Sequence, residues 1–213
     1  MLYRDRREAG RLLGQLLAKR SWNNPVVLGL PRGGVPVAIE VAKSIDGDVD
    51  IVLSKKIGAP FNPELALGAV DMSGIAVIDS RVLHVYGVTE NYIREQVQRA
   101  AAELRDRAEL YRGNRAYPAL EGRDVILVDD GIATGHTLIS AARSLAGKGA
   151  AALIMAAPVC PPDVIHRLEA NADLVIVLNQ PRKFESVSQC YEHFRQLTDD
   201  QVRAELCEAW GIS

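Results

Sequence analysis

At residues 125–137 an uninterrupted apolar run, Val125-Ile126-Leu127-Val128, passes into two aspartates and then into Gly-Ile-Ala-Thr-Gly-His-Thr. A short run of this kind, without polar alternation, is what a parallel strand buried on both faces requires. Asp129 and Asp130 therefore stand at the carboxyl end of a core strand. From Gly131 to Thr137 there are two glycines, two threonines and no bulky charged side chain. Backbone N–H groups and hydroxyls can close around an anion there as the next helix begins, so the segment predicts a phosphate site. The plainer alternative is a buried strand followed by a solvated acidic turn and a helix cap.

A second unit of the same grammar lies upstream. Pro25 opens a strand over 26–30, which ends in Pro31-Arg32-Gly33-Gly34, and Val35, Ala38, Ile39, Ala42 and Ile45 then mark a helix. Two glycines beside an arginine let backbone approach a ligand closely while one strong cation meets its charge. A diphosphate uses both features, although the tetrapeptide alone also reads as a glycine turn with a surface arginine. Residues 50–54 read as the next buried strand, with Lys55 and Lys56 at its carboxyl end.

Breakers fill 58–64, and the runs 65–70 and 75–78, joined by Asp71-Met72-Ser73-Gly74, suit a hairpin. Thr89 and Glu90 start a long polar-faced helix to about Arg112. After the central segment come a helix from Leu138 to Leu145, a strand at 152–157, a helix from Pro161 and a strand at 174–178. Repeated strand-then-helix units imply an α/β, doubly wound, mainly parallel five-stranded sheet in the order 2-1-3-4-5, with helices on both faces. Its switch point falls between the strands ending at Leu30 and Val128, where open α/β sheets bind ligands.

The rest of the chain bounds the possibilities. Lys plus Arg number 25 against 27 Asp plus Glu in 213 residues, without a basic block, which argues against a general nucleic-acid or anionic-membrane binder. Cys160, Cys190 and Cys207 form neither a metal-binding spacing nor an even set, so a reducing cytoplasm is the expected compartment. No apolar run approaches membrane-spanning length, about 18 residues. Asp5 with Glu8 caps an amphipathic first helix to Lys19, expected to serve packing or dimer contact. In the tail, Phe184, Tyr191 and Phe194 precede a helix capped by Thr198 with Gln201; they either stack on a planar base or pin that helix to the core.

The hydrophobic run, acidic pair and Thr-Gly-x-Thr ending at 125–137 resemble the signature of the type I phosphoribosyltransferases, which bind 5-phosphoribosyl 1-diphosphate (PRPP). The resemblance implies that Asp129 and Asp130 hold the ribose hydroxyls, and that Gly131, Ile132, Ala133, Thr134, Gly135, His136 and Thr137 bind the 5-phosphate. It implies that Arg32, Gly33 and Gly34 meet the diphosphate, with a cis bond between Pro31 and Arg32, and that Lys55 or Lys56 contacts PRPP. Asp129, Asp130, Arg32 and Lys56 become the catalytic set. Mg²⁺ is the implied cofactor, held mostly through the ligand and arranged by the two aspartates. The implied organisation is one domain over 1–213, with a flap at about 55–90 that includes Glu64 and a hood at about 180–213, in a homodimer. The implied function is phosphoribosyl transfer from PRPP to a nitrogenous acceptor with release of diphosphate. The alternative is a PRPP or nucleotide sensor of the same fold without transferase activity. Relatives acting on 6-oxopurines carry an acid where this chain has Ala133 and a lysine on the next strand, so those acceptors are disfavoured; an NTPase is excluded by the lack of a P-loop.

Overall fold

The structure, a computed structural model, describes residues 2–78 and 87–212, with backbone alone at 63 and 64. Five parallel strands form the central sheet: β1 (Val26–Gly29), β2 (Asp48–Ile51), β6 (Asp124–Val128), β7 (Ala152–Val159) and β8 (Leu174–Asn179). Their order is β2-β1-β6-β7-β8, the expected arrangement. Every residue of β1 and all of β6 after Asp124 are buried, as unbroken apolar runs demand. Register sets Gly29 beside Val128, so the chain leaves both strands at one level of the sheet's carboxyl edge.

Helices α1 (Arg6–Leu17) and α2 (Gly34–Ile45) pack against one sheet face, joined there by Val27, Ile126 and Ile154. Gly10 and Gly14 allow α1 to lie tight on α2, since a Cβ on Gly14 would stand 2.3 Å from the Ser44 hydroxyl. Helices α4 (His136–Ser144) and α5 (Pro162–Glu169) cover the other face. Asp5 caps α1 by accepting from the Glu8 N–H at 2.8 Å.

The second predicted strand is displaced. It spans Asp48–Ile51, and Ser54 instead opens β3 (Ser54–Ala59), which pairs antiparallel with β4 (Asn62–Asp71) and through it with β5 (Ala76–Ile78). Lys55 and Lys56 therefore belong to a separate three-stranded sheet, not to the rim of β2. The segment expected to be a breaker-rich loop at 58–64 is mostly strand. Register jumps from the pair Ala59–Asn62 to the pair Gly58–Ala66, so Pro63 falls in a bulge where no ladder N–H is needed. Glu64 lies within β4. The hairpin turn is set by Asp71, whose Oδ1 accepts from the N–H groups of Ser73 (2.9 Å) and Ile75 (3.0 Å). The part of the expected flap at 79–86 lies outside the described residues.

Helix α3 (Glu90–Arg112), capped by Thr89, packs on this second sheet, and α6 (Asp199–Ala209) packs on α3 and α2. Thr198 and Gln201 form a reciprocal capping box on α6. The tail aromatics go elsewhere. Tyr191, Phe184 and Phe194 cluster with Tyr3, Ala9 and Val159, so they fasten the start of the chain over the sheet rather than pinning α6.

Candidate functional site

The two turns expected to face each other are in contact. The Leu30 N–H donates to the Val128 carbonyl at 2.9 Å, which draws residues 31–34 alongside the end of β6. The turn closes through Gly34 N–H to Leu30 O at 2.9 Å and Val35 N–H to Arg32 O at 3.3 Å, and the Pro31–Arg32 peptide bond is cis. A Cβ on Gly33 would meet Asp130 Oδ2 at 1.9 Å, and one on Gly34 would lie 2.5 Å from the Val128 carbonyl and 2.9 Å from Asp129 Cα. The second clash is with backbone, which cannot swing aside. Gly34→Ala is therefore expected to destabilise the protein by about 1–3 kcal/mol through overpacking, read as a lowered midpoint in urea denaturation. An unchanged midpoint would show that the two turns are not in contact.

Beyond the aspartates, the Ile132 N–H donates to Val159 O at 2.8 Å and anchors the loop to β7. Gly135, at φ 76, turns the chain into α4. As the first three helical residues, His136, Thr137 and Leu138 have N–H groups without intrahelical acceptors. Ala133, Thr134, His136 and Thr137 are exposed, while Gly131, Ile132 and Gly135 are buried. The loop thus presents hydroxyls and helix-start N–H donors outward on a fixed base. Arg167 of α5 supports it from behind, donating Nη2 to Thr134 O at 2.8 Å.

The acidic pair sits in an unfavourable setting for two negative charges. Burial raises the Asp129 carboxyl well above its ordinary range, and the charge of Asp130 raises it further; the Asp130 N–H, donating to Asp129 Oδ1 at 2.9 Å, opposes this. Burial also raises the Asp130 carboxyl, against the opposing charge of Arg6. Arg6, the first residue of α1, reaches Asp130 Oδ2 through Nε at 2.7 Å, donates Nη1 to Arg195 O at 2.9 Å, and lies 3.9 Å over the Phe194 ring. Tyr191 stacks on Phe194 and donates its hydroxyl to the Asp130 carbonyl at 2.5 Å.

Arg6 is a contact that the sequence did not mark. It is one of four arginines, Arg4 just before the amphipathic helix and Arg6, Arg7 and Arg11 on it, and its partner stands 124 residues away. The only local signal was Asp5, whose cap makes Arg6 the first helical residue. Of the expected cations, Arg32 lies 3.8 Å from Asp199 Oδ1, and Lys55 is paired with Glu103. Lys55, Lys56, His136 and Thr137 nevertheless line one cavity of about 280 Å³, so the second sheet delivers its lysines to the loop at 131–137. Two adjacent carboxylates with hard oxygen donors, whose charge the surrounding protein disfavours, fit Mg²⁺ held partly through a hydroxyl-bearing ligand.

The family described as "Phosphoribosyl transferase domain" matches residues 3–192. A Mycobacterium tuberculosis protein (strain H37Rv), provisionally named a phosphoribosyl transferase, is 42% identical over 208 residues, covering 98% of this chain and 47% of its own length. The chain thus spans about half the length of that curated relative. The crystal structure of TT1426 from Thermus thermophilus superposes with a TM-score of 0.92 at 44% identity, covering 98% of this chain and 99% of that one. With two turns meeting at the carboxyl edge of a 2-1-3-4-5 sheet and a family match over nearly its whole length, the chain belongs to the phosphoribosyl transferase domain family.

Proposed function

We propose that this chain transfers the 5-phosphoribosyl group of PRPP to a nitrogenous acceptor with release of diphosphate. The observation that carries the reading is the contact of Gly33 and Gly34 with Asp130 and Asp129, which joins a cationic glycine turn to an acidic pair and a donor-rich loop. Diphosphate, ribose diol and 5-phosphate are arranged in that order in PRPP, and the three surfaces follow it. Asp129 and Asp130 accept from the ribose hydroxyls, a charge-assisted bond that relieves their burial. The loop at 131–137 takes the 5-phosphate on neutral donors and the helix start. Arg32 neutralises charge on the departing diphosphate, which the amides of Gly33 and Gly34 approach closely, while Lys56, expected at the diphosphate, shares a cavity with His136 and Thr137 and so faces the 5-phosphate loop. Asp129 and Asp130 would orient the ligand hydroxyls through which Mg²⁺ is held, and the ion would add to the neutralisation of the leaving group.

The nitrogen nucleophile attacks C1 as the bond to diphosphate breaks, so positioning carries most of the work and little proton transfer is needed on the leaving side. The second sheet, from Ser54 to Ile78, acts as part of the flap that excludes water, and the tail from residue 180 with α1 forms the hood. These parts make one domain, in a cytoplasmic homodimer. Among the described residues no helix is long and apolar enough to cross a membrane.

One observation favours the alternative, a PRPP or nucleotide sensor: Arg6 already occupies the Asp130 carboxylate that the ribose needs. Calorimetry with PRPP and Mg²⁺, followed by diphosphate release across a panel of bases, separates the two. Transfer predicts binding and release with at least one acceptor. Binding without release on any acceptor supports the sensor, and no binding at millimolar PRPP removes both.

A further inference from the structure

Arg32, the cation of the glycine turn, is met by an acid of the tail. Its Nη1 lies 3.8 Å from Oδ1 of Asp199, an ion pair too long for a direct hydrogen bond. The two side chains are 33% and 39% exposed, so solvent screens the attraction and the pair contributes little to stability. The carboxylate itself is firmly seated. Asp199 is the first residue of α6, whose opening turn is fixed by the capping box of Thr198 and Gln201. Its Oδ1 also accepts from the hydroxyl of Tyr111, a buried residue near the end of α3 that shares a core cluster with Val202 and Leu206 of α6. One oxygen thus takes a neutral bond from a buried tyrosine and faces the guanidinium that the diphosphate needs.

A site built only to hold an anion gains nothing from a fixed negative charge beside its cation. Such a charge repels the bound diphosphate and offers Arg32 another partner once the diphosphate leaves. We propose that Asp199 competes with diphosphate for Arg32. It holds the guanidinium toward α6 in the unliganded protein, yields it when PRPP binds and takes it back as the product departs. Asp199 acts through Arg32 without touching the reacting atoms, and is a positioning residue for diphosphate release. The inference rests on the transferase reading, which assigns the diphosphate to Arg32.

The probe is inorganic diphosphate, titrated calorimetrically into the full chain with Mg²⁺. Asp199→Asn removes the charge but keeps an oxygen for the Tyr111 hydroxyl, and Thr198 remains the cap of α6. It is expected to bind diphosphate about fivefold tighter, the strength of one exposed ion pair, with dissociation slowed in proportion. Damage to the fold would weaken binding instead. Asp200→Asn removes the same charge from the exposed neighbouring position and is expected to bind diphosphate within about twofold of the parent. In an Arg32→Gln background, Asp199→Asn is expected to bring no tightening, since the competition needs the guanidinium. Binding by Asp199→Asn that equals or falls below that of the parent overturns this inference and leaves the transferase reading standing. Tightening that Asp200→Asn reproduces, or that persists without Arg32, overturns it as well by assigning the effect to net charge. A parent chain that binds neither diphosphate nor PRPP removes both.

Discussion

Asp129→Asn is expected to weaken PRPP binding about tenfold while making the unliganded protein more stable. The two effects have one origin. In the folded chain, burial and the charge of Asp130 raise the Asp129 carboxyl well above its ordinary 3.8, so the folded state holds a proton that the unfolded state has lost. Stability therefore falls as pH rises from about the ordinary carboxyl value through the raised one. An amide of the same shape has no charge to bury, so the variant should lose this decline and melt a few degrees higher at pH 7, the shift expected from about 1 kcal/mol in a chain of this size. It also forfeits the ionised acceptor for a ribose hydroxyl. Together with Asp130→Asn, the loss in PRPP affinity should be about 100-fold or more, from two charge-assisted bonds. Thermal melts at pH 5 and pH 8 and a PRPP titration check both halves. A double variant that binds PRPP like the parent removes the aspartates from the site.

Arg6→Met is expected to act in the opposite sense on stability. The Arg6–Asp130 pair is almost enclosed, with side chains 11% and 13% exposed, and methionine retains the apolar bulk against Phe194 but not the charge. Removing one member of a buried pair strands the other, at a cost of about 3 kcal/mol. Asp130, already raised by burial, then loses the charge that opposed the rise, so the deficit should grow with pH. Adding Asp130→Asn should restore most of the loss, which a double-mutant cycle measures as coupling. Additive effects of the two substitutions would show that the pair contributes nothing.

The sheet was legible because its strands are unbroken apolar runs and its helices follow each one; β1, β6, β7 and β8 lie within two residues of where the pattern puts them. That the glycine turn and the acidic pair meet was legible from the strand order, which sets the ends of β1 and β6 side by side. Residues 48–71 were misread for a physical reason. Lysines and prolines mark solvent and breaks in an isolated string, but a bulge at Ile57, Gly58 and Ala59 lets the prolines ride an antiparallel hairpin. The Arg6 contact was invisible, since nothing in a helix's own periodicity says which of its arginines faces a carboxylate more than a hundred residues ahead.

The contacts around Asp130 also fix when, during synthesis of the chain, the acidic pair can be enclosed. Its last core strand ends at Asn179, so the parallel sheet can assemble without the tail. The enclosure of Asp130 cannot. Tyr3 must hydrogen-bond to Pro158 across 155 residues, Arg6 must reach Arg195 across 189, and Tyr191 must close on the Asp130 carbonyl. Without 190–195 the acidic pair therefore lacks the contacts of Tyr191 and of the Arg195 carbonyl that close it off. The enclosure of the acidic pair is in this sense gained only when two segments far apart in the sequence have met over the sheet.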